Sequence, residues 1–336
     1  MSYDCITIGD AMEDIFLFPT LSEMEKPAKA HQIKNNSEFE RYLVFGLGDK
    51  ITVSDVEFSV GGTAANVACG LARLGLKTGI ISAIGDDNAG IEVKSALSKK
   101  KVDVKNVKVY SRKKTSFSVI VSYKGERTIF VYHAFSPENF HLPENLETGW
   151  LYLGPMAEGF ESLYNKATAL VVKKGIKIAV NPGPIQIEAG LHSFGGLLKL
   201  IKVIFLNRQE ANELSGLSGM PPIRDVAKVI HFQGPEKVII TDGKEGAYTY
   251  DGIDFFRVGA YPGKLVDATG AGDSFAAGYL SATIEGKGLQ ESLKWGVINS
   301  ASVIEKVGAE AGLLGKTAIK RRAKEYRWPA ATLRFS

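Results

Sequence analysis

Short apolar runs alternate with helix-period stretches along most of this chain, and that rhythm limits the fold class more than any other feature. Residues 5–8, 78–84, 150–153, 176–180, 201–206 and 237–241 read as buried strands, most of them closed by Gly, Asn or Asp. Helical patterns lie between them, over 66–74, 89–101 and 160–174. Strand and helix in regular alternation predict an α/β, three-layer domain with a mostly parallel central sheet. One stretch breaks the rhythm. Residues 116–123 alternate, with Phe117, Val119, Val121 and Tyr123 on one side, and residues 127–132 return after the turn at Lys124-Gly125-Glu126. That is a β-hairpin, and with the extended segment 51–60 it predicts a second, small sheet. The apolar phase of that segment flips near Ser54-Asp55, which points to a bulge.

At 336 residues, one such core with an appended subdomain accounts for the whole chain. The net charge of +4 arises from 41 basic and 37 acidic residues spread along the chain, which argues against a nucleic-acid partner. No apolar run approaches a membrane span, and Met1 to Asp4 lack a basic leader, so a cytoplasmic protein without a membrane partner is expected. Cys5 and Cys69 sit in apolar surroundings and read as buried free thiols. Residues 20–50 are polar, lysine-rich and poorly periodic, and read as an insertion or long loop.

The chemistry concentrates in Val266-Asp267-Ala268-Thr269-Gly270-Ala271-Gly272-Asp273-Ser274-Phe275. Leu265 and Val266 read as a strand end, the glycines as a tight turn, and Phe275, Tyr279 and Ala282 as the stripe of a helix. Gly270, Ala271 and Gly272 would present backbone N–H groups at the positive end of that helix, a cradle for an anion. Asp273 places a carboxylate in the same cradle. A site that only binds an anion avoids that repulsion, whereas one that deprotonates a hydroxyl beside a phosphoryl group needs it. Asp273 also fits as an ordinary acid at a helix N-terminus.

This run resembles the Asp-Thr-x-Gly-Ala-Gly-Asp signature of the ribokinase-like (PfkB) carbohydrate kinases, with Ala268 where the family has Thr. The resemblance extends over roughly residues 4–313. Asp14 lies five residues after Gly9, like the aspartate that holds substrate hydroxyls in that family. Asp10 and Glu13 beside it read as loop-solvating acids. Gly61-Gly62-Thr63-Ala64-Ala65-Asn66 resembles the family's Gly-Gly-x-x-x-Asn substrate motif. Asn207 and Glu210, at a strand end, resemble its Asn-x-x-Glu motif and would serve nucleotide and Mg²⁺, the metal held through water; the same pair also composes a helix capping box. Thr241, Gly243 and Gly246 resemble its nucleotide loop, and Asn299, on a small-residue helix ending near Gly308, its adenine region, with close helix packing as the other reading. Gly315-Lys316-Thr317 mimics the tail of a Walker A loop, but Glu310 stands where its first glycine belongs. The basic run 316–327 reads as a solvated helix.

The resemblance implies one kinase domain over 1–336 with a β-sheet lid from about 20–60 and 112–135. It implies ATP-dependent transfer of the γ-phosphate to a hydroxyl of a sugar or sugar-like molecule, with Asp273 as catalytic base and Asp14, Gly61, Gly62 and Asn66 on the substrate. A nucleoside kinase or a phosphosugar kinase of the same fold are the alternatives. It further implies ATP and Mg²⁺ as cofactors and a K⁺ site near the carbonyls of Asp267 and Thr269. An exposed lid sheet could pair two subunits as a homodimer.

Overall fold

A computed structural model describes residues 2–19, 47–123, 126–328 and 334–335. In chain order the strands are β1 (Tyr3–Ile8), β2 (Met12–Pro19), β3 (Val53–Gly61), β4 (Thr78–Gly85), β5 (Val107–Tyr110), β6 (Phe117–Tyr123), β7 (Glu126–Tyr132), β8 (Thr148–Leu153), β9 (Lys177–Val180), β10 (Ile201–Asn207), β11 (Val238–Thr241), β12 (Ala247–Tyr250), β13 (Phe255–Val258) and β14 (Arg334–Phe335). The helices are α1 (Thr63–Arg73), α2 (Asn88–Lys99), α3 (Phe160–Lys174), α4 (Pro184–Ala189), α5 (Arg208–Ser215), α6 (Ile223–Gln233), α7 (Ala271–Ile284), α8 (Leu289–Val303) and α9 (Lys316–Glu325).

The large sheet runs β5-β4-β1-β8-β9-β10-β11 in parallel, and β12, β13 and β14 extend it antiparallel at one edge. Its central strands are largely apolar because both faces are covered. Ile6, Ile8, Leu151, Ile178, Ile204 and Ile240 face one core with Phe160, Tyr164 and Phe194. Cys5, Tyr152, Ala179, Val203, Phe205 and Ile239 face the other, against Val67, Leu71, Phe275 and Tyr279 of α1 and α7. At Gly70 a Cβ would stand 2.5 Å from Ala277 Cβ, so a glycine lets α1 and α7 approach closely. Strand order reverses between β1 and β8, the place where an open α/β sheet binds ligands beyond its strand ends.

The second sheet has the order β3-β2-β6-β7. Its central strand β2 lies in a stretch that carries no strand reading above, because the acids Glu13 and Asp14 mask the apolar alternation of Met12, Phe16 and their neighbours. One face bears the cross-strand row Phe58–Ile15–Val119–Phe130, and the opposite face the row Ser59–Asp14–Ser118–Val131. The hairpin therefore does not bury a single apolar face: Ser118 and Ile120 are buried, while Phe117 and Val119 are half-buried. The pairing shifts between Phe18 and Pro19, opposite Asp55 and Val53, where the apolar phase flips.

Two further expectations need correction. Leu265 and Val266 do not end a strand; they lie exposed in an irregular segment, fastened by the N–H groups of Val266 and Asp267 donating to the Ile304 carbonyl. Strands β12 and β13 were too short and too mixed in composition to read. Helix α8 stops at Val303, not near Gly308. Cys5 and Cys69 are buried and free. The loop expected over 20–50 falls almost wholly outside the described residues.

Candidate active site

Two helix N-termini meet at one point. Gly61, the last residue of β3, leads through Gly62 into α1, and Gly270, at φ 73°, leads into α7. Asn66, one turn into α1, donates from Nδ2 to Asp273 Oδ2 at 2.7 Å. Thr63 also hydrogen-bonds this carboxylate, so the N-terminus of one helix fixes the acid of the other. Burial pushes the Asp273 carboxyl above its usual range, while those hydrogen bonds and the charge of Arg127 oppose the shift. Asn66 Oδ1 is buried without a hydrogen-bond partner, which leaves it free to accept from a ligand donor or a water.

Asp14 comes from β2 and is buried. Its carboxyl is pushed up to about 6, chiefly by burial, with Asp273 and Asp267 adding to the shift. Ser118 of β6 donates to its Oδ1 at 2.5 Å and favours the ionised form. Gly61 is dictated by this acid, since a Cβ there would lie 2.1 Å from the Asp14 carboxylate. Ser118 carries no motif; only the strand register places it beside Asp14.

Asp10 does not behave as a solvated loop acid. It is buried at the end of β1 and meets His133 Nδ1 at 2.9 Å, just beyond the end of β7, which joins the two sheets. That hydrogen bond raises the His133 pKa. The other strand of the hairpin is anchored by Asp87, which accepts from the N–H and hydroxyl of Thr115.

On the far side of Asp273 lies a cavity of about 150 Å³, lined by Thr241, Gly243, Gly246, Ala271, Gly272 and Phe275, and closed by Tyr261, Val297, Ser300, Ala301 and Ile304. Around Gly272 the space where a Cβ would stand is open. The cradle is smaller than the sequence suggests, because the Ala271 N–H already donates to the Ala268 carbonyl at 3.2 Å. Asn299 does not reach this cavity. It is fully buried, donating to the Ser274 carbonyl and accepting from Leu314 N–H, so it holds α8 to α7 and leaves the cavity wall to Ser300 and Ala301.

Asn207 and Glu210 make the capping box at the start of α5: Asn207 Oδ1 accepts from Glu210 N–H at 2.9 Å, and Glu210 Oε2 accepts from Asn207 N–H at 2.8 Å. Burial raises the Glu210 pKa. Asp267 spends its carboxylate on bracing its loop, accepting from Thr269 N–H and hydroxyl within it and from Gly308 N–H of the segment after α8. Among the described residues no group of three or more His, Cys, Asp or Glu side chains could hold a metal ion. No described helix is long and apolar enough to cross a membrane.

The relatives of this sequence share its fold. The model of the pfkB family carbohydrate kinases matches residues 36–315. A ribokinase of Haemophilus influenzae is 29% identical over 280 residues, 79% of this chain and 88% of the relative. A cytidine kinase of Thermococcus kodakarensis is 28% identical over 275 residues, 79% of this chain and 93% of the relative. The structure of Arabidopsis thaliana ribokinase, complexed with ribose and ATP, superposes with a TM-score of 0.75 at 21% identity, covering 97% of this chain and 100% of that one.

Proposed function

We infer the division of labour in the site from what the chain is: it belongs to the pfkB family of carbohydrate kinases. It is an ATP-dependent kinase that transfers the γ-phosphate to a hydroxyl of a sugar or sugar-like small molecule. The observation that carries the site reading is the Asn66–Asp273 hydrogen bond, which ties the acid of the nucleotide side to the helix that starts beneath Asp14.

In this reading Asp14, Asn66 and the backbone at Gly61 and Gly62 hold the acceptor's hydroxyls. Asp273 takes the proton of the attacking one. The amide of Gly272, with Gly270 and Ala271 around it, meets the transferring phosphoryl group, while Thr241, Gly243 and Gly246 receive the nucleotide. General-base assistance contributes about 10² to 10⁴ in rate. Alignment of two reactants supplies on the order of 7 to 11 kcal/mol, so positioning dominates and Asp273 is necessary without being sufficient. The oxygen donors of Glu210 and Asn207 at the end of β10 suit a hydrated Mg²⁺, which would screen phosphate charge when bound. The carbonyls of Asp267 and Thr269, in a loop cross-braced to Gly308, would take K⁺.

The small sheet, with its Asp14-bearing face turned to the site, would act as a lid that excludes water, the whole chain forming one kinase domain. Its opposite face, with Phe58, Phe130 and Tyr132 exposed, supports self-association of two copies. A cytoplasmic location fits the reaction. One observation favours a second reading: Arg127 lies on the same face of the small sheet as Asp14, and its charge reaches Asp273. An arginine there suits an acceptor that itself carries phosphate, and a nucleoside would offer the same ribose hydroxyls to Asp14.

ADP release over sugars, phosphosugars and nucleosides, measured with Mg²⁺ and with or without K⁺, tests the assignment. Turnover dependent on one acceptor class is expected. Absence of acceptor-dependent ADP release from all three classes would refute it.

A further inference from the structure

Tyr261 has no part in the chemistry above, yet it is one of the residues that close the nucleotide cavity, beside Val297, Ala301 and Ile304. It sits in the irregular segment between β13 and α7, where no strand or helix holds the backbone. What holds it comes from the end of the chain. Its ring centroid lies 4.7 Å from that of Tyr326 and 6.3 Å from that of Trp328, and those two rings pack edge-to-face at 4.8 Å. The Arg322 guanidinium stands 6.0 Å from the Tyr261 ring, and Lys294 stands 5.4 Å from that of Trp328. Tyr261 and Trp328 also lean on the core beneath α7 and α8.

On its solvent side Tyr261 borders a shallow, open groove with Pro262, Glu305, Arg321, Arg322 and Glu325. The tyrosine is therefore not enclosed by the core and keeps its place through its aromatic neighbours. The cavity lining combines two chemistries: the backbone of Gly243, Gly246, Ala271 and Gly272 with Thr241, which suits phosphates, and the rings of Tyr261 and Phe275 with the aliphatic Val297, Ala301 and Ile304, which suit a flat ring.

We infer that Tyr261 is the wall on which the nucleotide's base stacks, and that Tyr326 and Trp328 are positioning residues that hold it there. This rests on the nucleotide reading of the cavity. Stacking uses the face of the ring and not a hydroxyl, so the proposal separates ring from polar group. It also predicts that base-edge discrimination, read as the ratio of KM for GTP to KM for ATP, stays as it is while both values rise.

The test is steady-state kinetics on the full chain, with ADP affinity measured by calorimetry and folding checked by thermal melting. Tyr261→Ala should raise KM for ATP on the order of 10- to 100-fold, with kcat and KM for the acceptor nearly unchanged. Tyr261→Phe should restore the wild-type value. Tyr326→Ala and Trp328→Ala should each raise KM for ATP about 2- to 10-fold. An unchanged KM for ATP in Tyr261→Ala, or a loss spread equally over both substrates, overturns the inference while leaving the kinase reading intact. If the wild-type protein itself binds no ADP, the nucleotide reading fails and the inference with it.

Discussion

Asp14 and Asp273 are the same side chain in two settings, and the contrast between them explains how the site divides its work. Both are raised by burial, so neither acid is free to ionise as it would in water. Asp14 hangs from a strand of the small sheet, pressed against the bare backbone of Gly61, and accepts a hydrogen bond from the hydroxyl of Ser118 on the neighbouring strand. Asp273 stands in the first turn of α7, beside the cavity, and takes its hydrogen bond from the amide of Asn66. In the proposed reading, the carboxylate held on the sheet against Gly61 is a fixed acceptor that grips the substrate, and the one at a helix start beside the cavity, held by Asn66 and Thr63 of α1, receives the proton.

The harshest test of that contrast is Asp273→Asn, which preserves shape and the helix start but cannot take a proton. Turnover should fall by about 10² to 10⁴, while ADP affinity measured by calorimetry stays near wild type. Wild-type turnover in this variant would erase the distinction between the two acids.

Asp14→Asn should act differently. Losing a hydrogen bond to a charged group is worth about 1.5 to 3 kcal/mol, so KM for the acceptor should rise roughly 10- to 100-fold and KM for ATP should stay. A fall in kcat as deep as that of Asp273→Asn, with acceptor KM unchanged, would mean that Asp14 belongs to the chemistry instead.

The two acids were not equally legible in the amino-acid sequence. Asp273 announces itself, because Gly270-Ala271-Gly272 and the helix stripe after it are contiguous in the chain. Asp14 is visible only through its distance from Gly9, and its strand is hidden by its own charge. Ser118, Thr63 and His133 reach the site through sheet register or a helix start, relations between segments that no local pattern records. The parallel core was readable because both its faces are buried, which leaves unbroken apolar runs. The short antiparallel strands β12 and β13 have no such signature. Asn299 misled for a related reason: a polar residue on a small-residue helix reads alike whether it meets a ligand or, as here, satisfies a carbonyl and an amide inside the protein.

The finest test separates the acids by pH. In the proposed reading Asp14 grips substrate hydroxyls most strongly as the carboxylate, and its carboxyl is pushed up to about 6. The acceptor's kcat/KM should therefore fall as pH drops through that region and level off above it. The hydroxyl of Ser118 favours the charged form, so its removal in Ser118→Ala raises the Asp14 pKa further and moves the acid limb to higher pH. Above the limb the variant should recover most of its activity, because the carboxylate is again ionised and only one neutral contact is lost. Asp273 keeps its partners on α1 throughout, so kcat at saturating acceptor should show a much smaller displacement. A pH–rate profile for Ser118→Ala that overlays the wild type would show that Asp14 does not govern the limb. A matching shift in kcat would show that the two acids titrate as one unit.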